Sequence, residues 1–412
     1  MDFLLTLLFL SIILYLFSVK RTFDFFTLFG VFFIYYYSFV IGDIVDFKGF
    51  SYVDLVMDIP LWLKVFIFIF SISFLVTMVT FDFATKGREA LFTSQRNVNE
   101  HEYCNILIVI LFLLLMLLFM TTGNGLTQSK SDIKASSGAI LAFIAGVQQI
   151  CLFLSLRNKN KVGIYISILV MLMFIFIGSR ANVLFSILIV IFYRYGGQHI
   201  RLLSIRRCFF ASIAFFVLLF VLSIKIFYKD LKEFRFDRVM EKISTLDAGV
   251  VIDLFFVDPK SVIMNFITLV EKVDYKNNIV DLLFAPIPFI GEIYRSSISA
   301  KLANSSQLLK ENYYDVDFGM ASSSFGESFS YMGPIGLIII PVILLIIISY
   351  ASFRLKKQPS ILFLCLIPSV LIFVIYFHRT ALVTNLSIFK LPFMVYILVA
   401  CILYLKRKSN YT

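Results

Sequence analysis

Residues 105–121, NILIVILFLLLMLLFMT, are almost entirely apolar and are long enough to cross the hydrocarbon core of a bilayer as a helix. About eleven runs of this kind occur along the chain. They lie at 3–19, 23–41, 61–80, 105–121, 137–156, 162–178, 181–194, 208–226, 331–352, 360–377 and 387–405. Inside lipid every backbone N–H and C=O group must be bonded within the protein, and the runs lack the alternation of a closed barrel. The sequence therefore predicts an all-α polytopic membrane protein with about eleven transmembrane helices.

The longest interruption between these runs is a mostly polar stretch at residues 227–330. It separates an N-terminal bundle of about eight spans, residues 1–226, from about three C-terminal spans, residues 331–412. So much polar chain between membrane spans predicts one large loop that builds a site on a single side of the membrane.

Three pieces of this loop have a pattern of their own. Residues 227–242 carry apolar side chains on one helical side under dense charge, which predicts an amphipathic helix. Such a helix would lie on the membrane surface or cover the ends of the spans. The apolar pieces 261–270 and 279–290 are too short to cross and predict re-entrant or interfacial elements.

Composition excludes a soluble protein. The chain is 60% hydrophobic with a mean hydropathy of +0.93, so lipid is its main solvent. The net charge of +11 predicts no nucleic-acid partner, because the basic residues collect in the short links between spans. The five cysteines lie in or beside apolar runs and none lies in the polar stretch, which excludes a disulfide framework there; no CxxC spacing indicates a zinc site. The run at 3–19 has almost no basic residues before it and no small-residue cleavage site after it, so it is predicted to be a retained span.

Basic residues orient the spans. They recur in every second link, at 20–21, 86–96, 157–161, 194–207, 354–357 and 406–408. The opposite links are poor in positive charge, and 42–60 holds only Lys48 against four aspartates. By the positive-inside rule the basic links and the C-terminus are cytoplasmic, whereas the N-terminus, the large loop and the 378–386 link face outward.

Five side chains at this predicted outer face are candidates for chemistry. Arg180 follows the sixth run, Arg295 lies in the loop, Glu327 precedes the ninth run, and His378 and Arg379 close the tenth. Each has an ordinary explanation when it is taken singly. Arg180 could snorkel to the headgroups, Glu327 has the spacing of a helix capping box, and His378 could be an interfacial histidine without a task. Arg379 could be an anchor and Arg295 a solvated loop charge.

Taken together, these residues predict a site for a phosphorylated lipid. Arginine is suited to bidentate binding of phosphate oxygens, and a carboxylate or imidazole nearby could activate a hydroxyl group. The sequence has no acidic pair and no metal-ligand cluster in this setting. Guanidinium groups would therefore take the place of a divalent cation at a leaving diphosphate, and no metal or other cofactor is predicted.

Three motifs carry a resemblance to a known family. They are Gly178-Ser179-Arg180 at the end of a span, P-x-P-x-x-G-E-x-Y-R-S-S at 286–297, and S-S-x-G-E at 323–327. With the number of spans, the large loop and the high aromatic content, they make the chain resemble bacterial oligosaccharide repeat-unit polymerases of the O-antigen polymerase type. In general form it is also similar to lipid-carrier-dependent membrane glycosyltransferases, which include O-antigen ligases.

The resemblance implies a substrate and a place of reaction. The growing glycan would sit on undecaprenyl diphosphate at the outer face of the bacterial cytoplasmic membrane. It would be transferred en bloc, with inversion, to a new lipid-linked repeat unit. Arg180 and Arg295 would bind the diphosphate with help from Arg379. A chain-length regulator protein is a further partner that the resemblance allows.

The resemblance also implies which residues act on the acceptor. Glu327 is expected to take the proton of the acceptor hydroxyl, with His378 as the second choice, because Glu327 lies in the better-matching motif. One such base contributes about 10²–10⁴ in rate. Tyr294 and Ser324, beside the candidate residues, are expected to contact the substrate.

Three other functions remain open from the sequence. A ligase that moves finished glycan to a lipid A core would share the same features. A flippase for lipid-linked sugar would place charged or broken-helix sites near the bilayer midplane, whereas the notable charges lie at the outer margin here. A membrane scaffold would need no cluster of arginines.

Overall fold

The computed structural model describes residues 1–48, 54–86, 98–122, 130–177, 179–204, 235–244, 248–271, 279–288, 321–357 and 360–409. Most of these residues are helical. The helices before the loop are α1 Asp2–Ser18, α2 Phe25–Tyr37, α3 Leu61–Ala84, α4 Val98–Thr122, α5 Lys130–Asn158, α6 Lys161–Ile177 and α7 Arg180–Tyr195. The loop contributes α8 Phe236–Ser244, α9 Ala248–Glu271, α10 Ile279–Phe284 and α11 Ser324–Met332. The C-terminal part contains α12 Gly336–Arg354, α13 Ile361–Tyr376, α14 Leu382–Ser387 and α15 Lys390–Ser409.

Among the described residues, five helical stretches are long and apolar enough to cross a membrane. They are Leu61–Ala84, Glu100–Thr121, Ile140–Asn158, Ser324–Arg354 and Leu382–Lys406. Five further helices are apolar but shorter, and each coincides with a predicted run. These helices are consistent with the predicted class, an all-α membrane protein. The predicted span at 208–226 lies outside the described residues, and the number of eleven stays a prediction.

The described parts of the large loop differ from the sequence expectation in length. The apolar piece 261–270 is not an isolated short element but the second half of α9, a helix of 24 residues that contains Pro259. A second, mostly apolar segment at 248–260, which contains Asp253, Asp258 and Lys260, forms the first half of the helix, and the side chains of 261–269 are buried. The predicted amphipathic helix at 227–242 is described only from 235 onward, where α8 begins.

Two short antiparallel pairs of strands, which the sequence did not predict, connect the links. Strands β2 (Ile44–Lys48) and β3 (Asp54–Asp58) form a hairpin in which Ile44 pairs with Asp58. Strand β1 (Arg21–Thr22) pairs with β4 (His199–Ile200), so the first link lies beside the link that follows α7.

The described contacts between links join basic links to each other and charge-poor links to each other, which are the two sets that the charge pattern predicts. At one end of the bundle, Arg157 pairs with Glu100 at 2.8 Å and Lys356 donates to the Thr85 hydroxyl at 2.6 Å. The β1–β4 pair lies in links of the same set. At the other end, Lys64 pairs with both Asp2 and Asp43, at 2.7 and 2.9 Å. Which end faces outward stays a prediction from the charges.

Helix α13 occupies the centre of the bundle. Its residues from Phe363 to Ile375 are nearly all buried, and it contacts α2, α5, α7 and α15. Its first turn is capped by the Ser360 hydroxyl, which accepts the N–H of Phe363 at 3.3 Å. Because α13 is enclosed on all sides, the turn that follows it is held between the N-terminal helices and the end of the loop.

Candidate functional site

The site forms where the end of the loop meets the turn after α13. Ser322 donates its backbone N–H to the carbonyl of Arg379 at 2.9 Å, and Ser324 donates to the carbonyl of Phe377 at 3.4 Å. These bonds align residues 321–324 with residues 377–380. They bring together four residues that the sequence predicted for the site: Ser324, Glu327, His378 and Arg379.

Ser324 belongs to a buried network that holds the two segments together. Its hydroxyl donates to the carbonyl of Thr380 at 2.7 Å and accepts from the side-chain amide of Asn385 at 2.7 Å. Asn385 is fully buried, and its amide also reaches the carbonyl of Tyr376 at 3.1 Å. The hydroxyl of Thr380 donates to the Asn385 side-chain oxygen at 2.7 Å. The described contacts of Ser324 therefore join chain segments, and its predicted contact with substrate stays a prediction.

Sequence reasoning did not select Asn385. The signal that could have found it is the position of an amide at the start of an apolar run, LVTNLSIF at 382–389. A buried amide without partners is costly, so an asparagine in such a place predicts a local network of hydrogen bonds.

Glu327 is buried and its carboxylate binds the start of another helix. It accepts the backbone N–H groups of Leu382 and of Val383, the latter at 3.3 Å, which are the first two residues of α14. The cap of its own helix is instead Ser323, whose hydroxyl accepts the N–H of Gly326 at 3.3 Å. A carboxylate at a helix N-terminus is stabilised by the unpaired N–H groups and by the helix dipole. The described bonds of Glu327 thus position α14, and its predicted role as a base stays a prediction.

The His378 ring is enclosed by aromatic side chains. Its centroid lies 4.5 Å from that of Phe29, 5.6 Å from Tyr37 and 5.8 Å from Tyr36. The side chain is fully buried, and neither ring nitrogen completes a hydrogen bond with a residue that the structure describes, although the Phe29 carbonyl lies near. In this arrangement the ring packs against α2 and does not line the cavity described below.

Arg379 is the predicted site residue that the structure leaves partly accessible. Its side chain is 39% exposed, and it pairs with Asp258 of α9 at 3.0 Å. The guanidinium also lies 5.9 Å from the centre of the Tyr376 ring. Burial opposes its charge, but the Asp258 carboxylate and the surrounding tyrosines together outweigh burial, and the pKa of Arg379 is raised above its ordinary value. The sequence did not predict Asp258, because nothing in the pattern around it places it beside a residue so distant in the chain.

The other predicted residues are only partly described or not described. Arg180 is the first residue of α7, and its side chain lies outside what the structure describes. Arg295 and Tyr294 lie in residues 289–320, which are also outside the described part. Their predicted roles at the diphosphate and the substrate therefore stay predictions.

A cavity of about 950 Å³ lies beside the turn after α13. Helices α5, α6, α7, α13, α14 and α15 form its walls. Tyr376 and Thr380 line it and also take part in the contacts that position the turn. Ser179, which precedes α7, and Asn182 in its first turn lie on either side of Arg180 in the chain and also line the cavity. The cavity is mostly apolar, and its lining includes Ser179 and Thr380, which are next in sequence to Arg180 and to Arg379.

Among the described residues, no group of three or more His, Cys, Asp or Glu side chains could hold a metal ion. Comparison of the chain with protein-family models, with curated proteins and with solved structures finds no match. The resemblance to repeat-unit polymerases therefore rests on the sequence motifs and the pattern of spans alone.

Proposed function

We propose that this protein polymerises undecaprenyl-diphosphate-linked oligosaccharide repeat units at the outer face of the bacterial cytoplasmic membrane. About eleven helices would span that membrane, with the N-terminus and the 227–330 loop outside and the C-terminus in the cytoplasm. The observation that carries the proposal is the position of Arg379. Its partly exposed guanidinium lies 5.9 Å from the centre of the Tyr376 ring, and Tyr376 and Thr380 line the mostly apolar cavity.

The proposed reaction is an inverting transfer. The acceptor hydroxyl oxygen attacks the anomeric carbon, the bond from that carbon to the diphosphate oxygen breaks, and the diphosphate leaves with the electron pair. Arg379 would stabilise the negative charge that grows on the diphosphate, with Arg180 and Arg295 as further ligands. For this, Asp258 must give up its ion pair with Arg379 when the substrate binds.

The proton of the acceptor needs a base, and the proposal retains Glu327 first and His378 second. In the described arrangement both are enclosed, since Glu327 binds the start of α14 and His378 is surrounded by aromatic rings. Either group would have to be uncovered when the substrate binds. The direct contribution of Glu327 that the contacts support is to hold α14 and the turn that carries Arg379.

The experiment replaces Arg379 by Ala and by Lys in the native host, with the amount of protein checked. Arg354, at the opposite end of the bundle and over the Phe363 ring at 5.7 Å, is the matched control as Arg354→Ala. We expect single repeat units in place of a ladder of glycan chains for both Arg379 variants, because lysine cannot bind two phosphate oxygens in one plane. The Arg354 variant should keep its ladder. An unchanged ladder in both Arg379 variants would contradict the role that is proposed for Arg379.

The same gel separates the alternatives. Loss of a ligase would leave long chains on the lipid carrier, with none on the lipid A core. Loss of a flippase would leave lipid-linked units on the cytoplasmic face of the membrane. A scaffold would not respond to the Arg379 variants while the protein is present at its normal level.

A further inference from the structure

Two adjacent glutamines in the middle of α5 have different surroundings. Gln148 is fully buried; its amide donates to the carbonyl of Ser167 in α6 at 3.4 Å, and its oxygen accepts from the Ser186 hydroxyl in α7 at 3.2 Å. Gln149 is only 4% exposed, yet it makes no hydrogen bond with the residues that the structure describes. It lines the 950 Å³ cavity. Gln148 therefore joins α5 to α6 and α7 by hydrogen bonds, whereas Gln149 lines the cavity.

A buried amide in that position needs a hydrogen-bond partner, and the described residues supply none. Leaving such a group without a hydrogen bond in an apolar environment is costly, so buried polar groups are nearly always paired. Ser369 of α13 is in the same situation: it is 6% exposed, lines the cavity and has no partner among the described residues. Two buried, uncharged polar groups on opposite helices therefore face the same space.

The remaining lining limits what the partner can be. The walls are mostly apolar and include the rings of Phe143, Phe174 and Phe185. Among the described residues that line the cavity, Lys390 is the only charged one, and no carboxylate is present. Aromatic rings accept the apolar face of a sugar ring, and an amide with two donors and an acceptor suits its hydroxyl groups. Apolar walls with a few placed polar groups are typical of sites that orient an amphiphile.

We propose that this cavity binds an uncharged glycosyl group carried on an apolar chain, and that Gln149 and Ser369 select for its hydroxyl groups. The identity of the natural ligand rests on the proposed function, since a lipid-linked repeat unit has this chemistry next to its diphosphate. Binding itself can be measured without any turnover. The two ideas can therefore fail separately.

The experiment uses the full chain in lipid nanodiscs and labelled n-octyl β-D-glucoside as the probe. We expect saturable binding that unlabelled octyl glucoside displaces, while 1-octanol and octylphosphocholine, which have the same chain, do not. Gln149→Leu should weaken binding about tenfold, because two neutral hydrogen bonds are lost, and Ser369→Ala about threefold. Gln148→Leu is the matched control: its melting temperature should fall while its affinity for the probe stays near that of the wild type.

Two results would overturn the proposal. One is equal binding of the probe by the wild type, Gln149→Leu and Ser369→Ala; the other is equal displacement by 1-octanol, which would mean that the cavity accepts only the chain. If Gln149→Leu does not fold, Gln149→Asn serves in its place. Its side chain is one methylene group shorter, so the amide is withdrawn from the cavity and binding of the probe should weaken. Binding that depends on Gln149 in a protein whose deletion leaves the glycan ladder of the host unchanged would retain this site and refute the polymerase.

Discussion

Removing the Glu327 carboxylate should loosen α14 and destabilise the whole protein. In Glu327→Ala, the N–H groups of Leu382 and Val383 lose their acceptor. The first bond is buried and the second is partly buried, so we count the full cost of an unpaired N–H for one and a smaller cost for the other. Since such a group costs about 1–3 kcal/mol, the free energy of unfolding should fall by about 3 kcal/mol. In Glu327→Gln the amide oxygen still accepts both bonds, and only the charge is lost, at about 1 kcal/mol.

The assay is equilibrium unfolding of the purified protein in mixed micelles, together with hydrogen exchange at residues 382–383. Glu271→Ala is the control, because that carboxylate is exposed and its bond to the Trp62 Nε1–H, at 2.8 Å, is at the surface; its cost should be below about 1 kcal/mol. Equal stability of Glu327→Ala and the wild type, with no faster exchange at 382–383, would refute the capping role. A Glu327→Gln variant with near-normal stability but no chain extension would instead identify Glu327 as the base.

Three further predictions concern stability and orientation. Gly146→Ala should lower the free energy of unfolding by about 1–3 kcal/mol, because the added Cβ would lie 1.7 Å from the end of the Leu391 side chain in α15. Gly138→Ala has nothing within 4 Å of the added Cβ and should raise the free energy of unfolding by up to about 1 kcal/mol through helix propensity. Thermal unfolding of both variants checks this. Glu100→Ala should cost about 3–5 kcal/mol, because it removes the buried carboxylate that pairs with Arg157, while Glu102→Ala breaks an exposed pair and should cost about 0.2–1 kcal/mol; equal losses of unfolding free energy would contradict the assigned burial. In a chain without its own cysteines, Lys357→Cys should react with a membrane-impermeant maleimide in inverted vesicles and not in intact cells, and the opposite result would reverse the orientation.

The helices could be predicted from the sequence because lipid makes a continuous apolar run sufficient for a helix. The run at 61–80 is a helix that begins at Leu61, directly after Pro60, and ends at Ala84. The run at 331–352 was predicted less well. The helix at that position begins only at Gly336, because Gly333 takes a φ of +61° and Pro334 follows it, which separates the short helix that carries Glu327.

Much of the site could not be predicted, for a reason that also comes from lipid. In a soluble helix the apolar side marks the buried face, but here lipid-facing and core-facing residues are both apolar, so the pattern does not say which neighbours a residue meets. Gln148 and Gln149 are identical in type and adjacent in sequence, yet only one of them bonds to neighbouring helices. His378 and Arg379 are adjacent as well, and one is enclosed by rings while the other is half-exposed.

Three properties were determined by the amino-acid sequence alone: that the chain is a membrane protein, at which residues most of its helices begin and end, and which links form one set by charge. These properties follow from length, hydropathy and charge, which act along the chain without reference to distant residues. Only the tertiary structure decided that Glu327 holds the start of α14, that Asp258 neutralises Arg379, and that a cavity opens beside Gln149. Those outcomes depend on which helices pack side by side, and packing joins residues that are far apart in the chain.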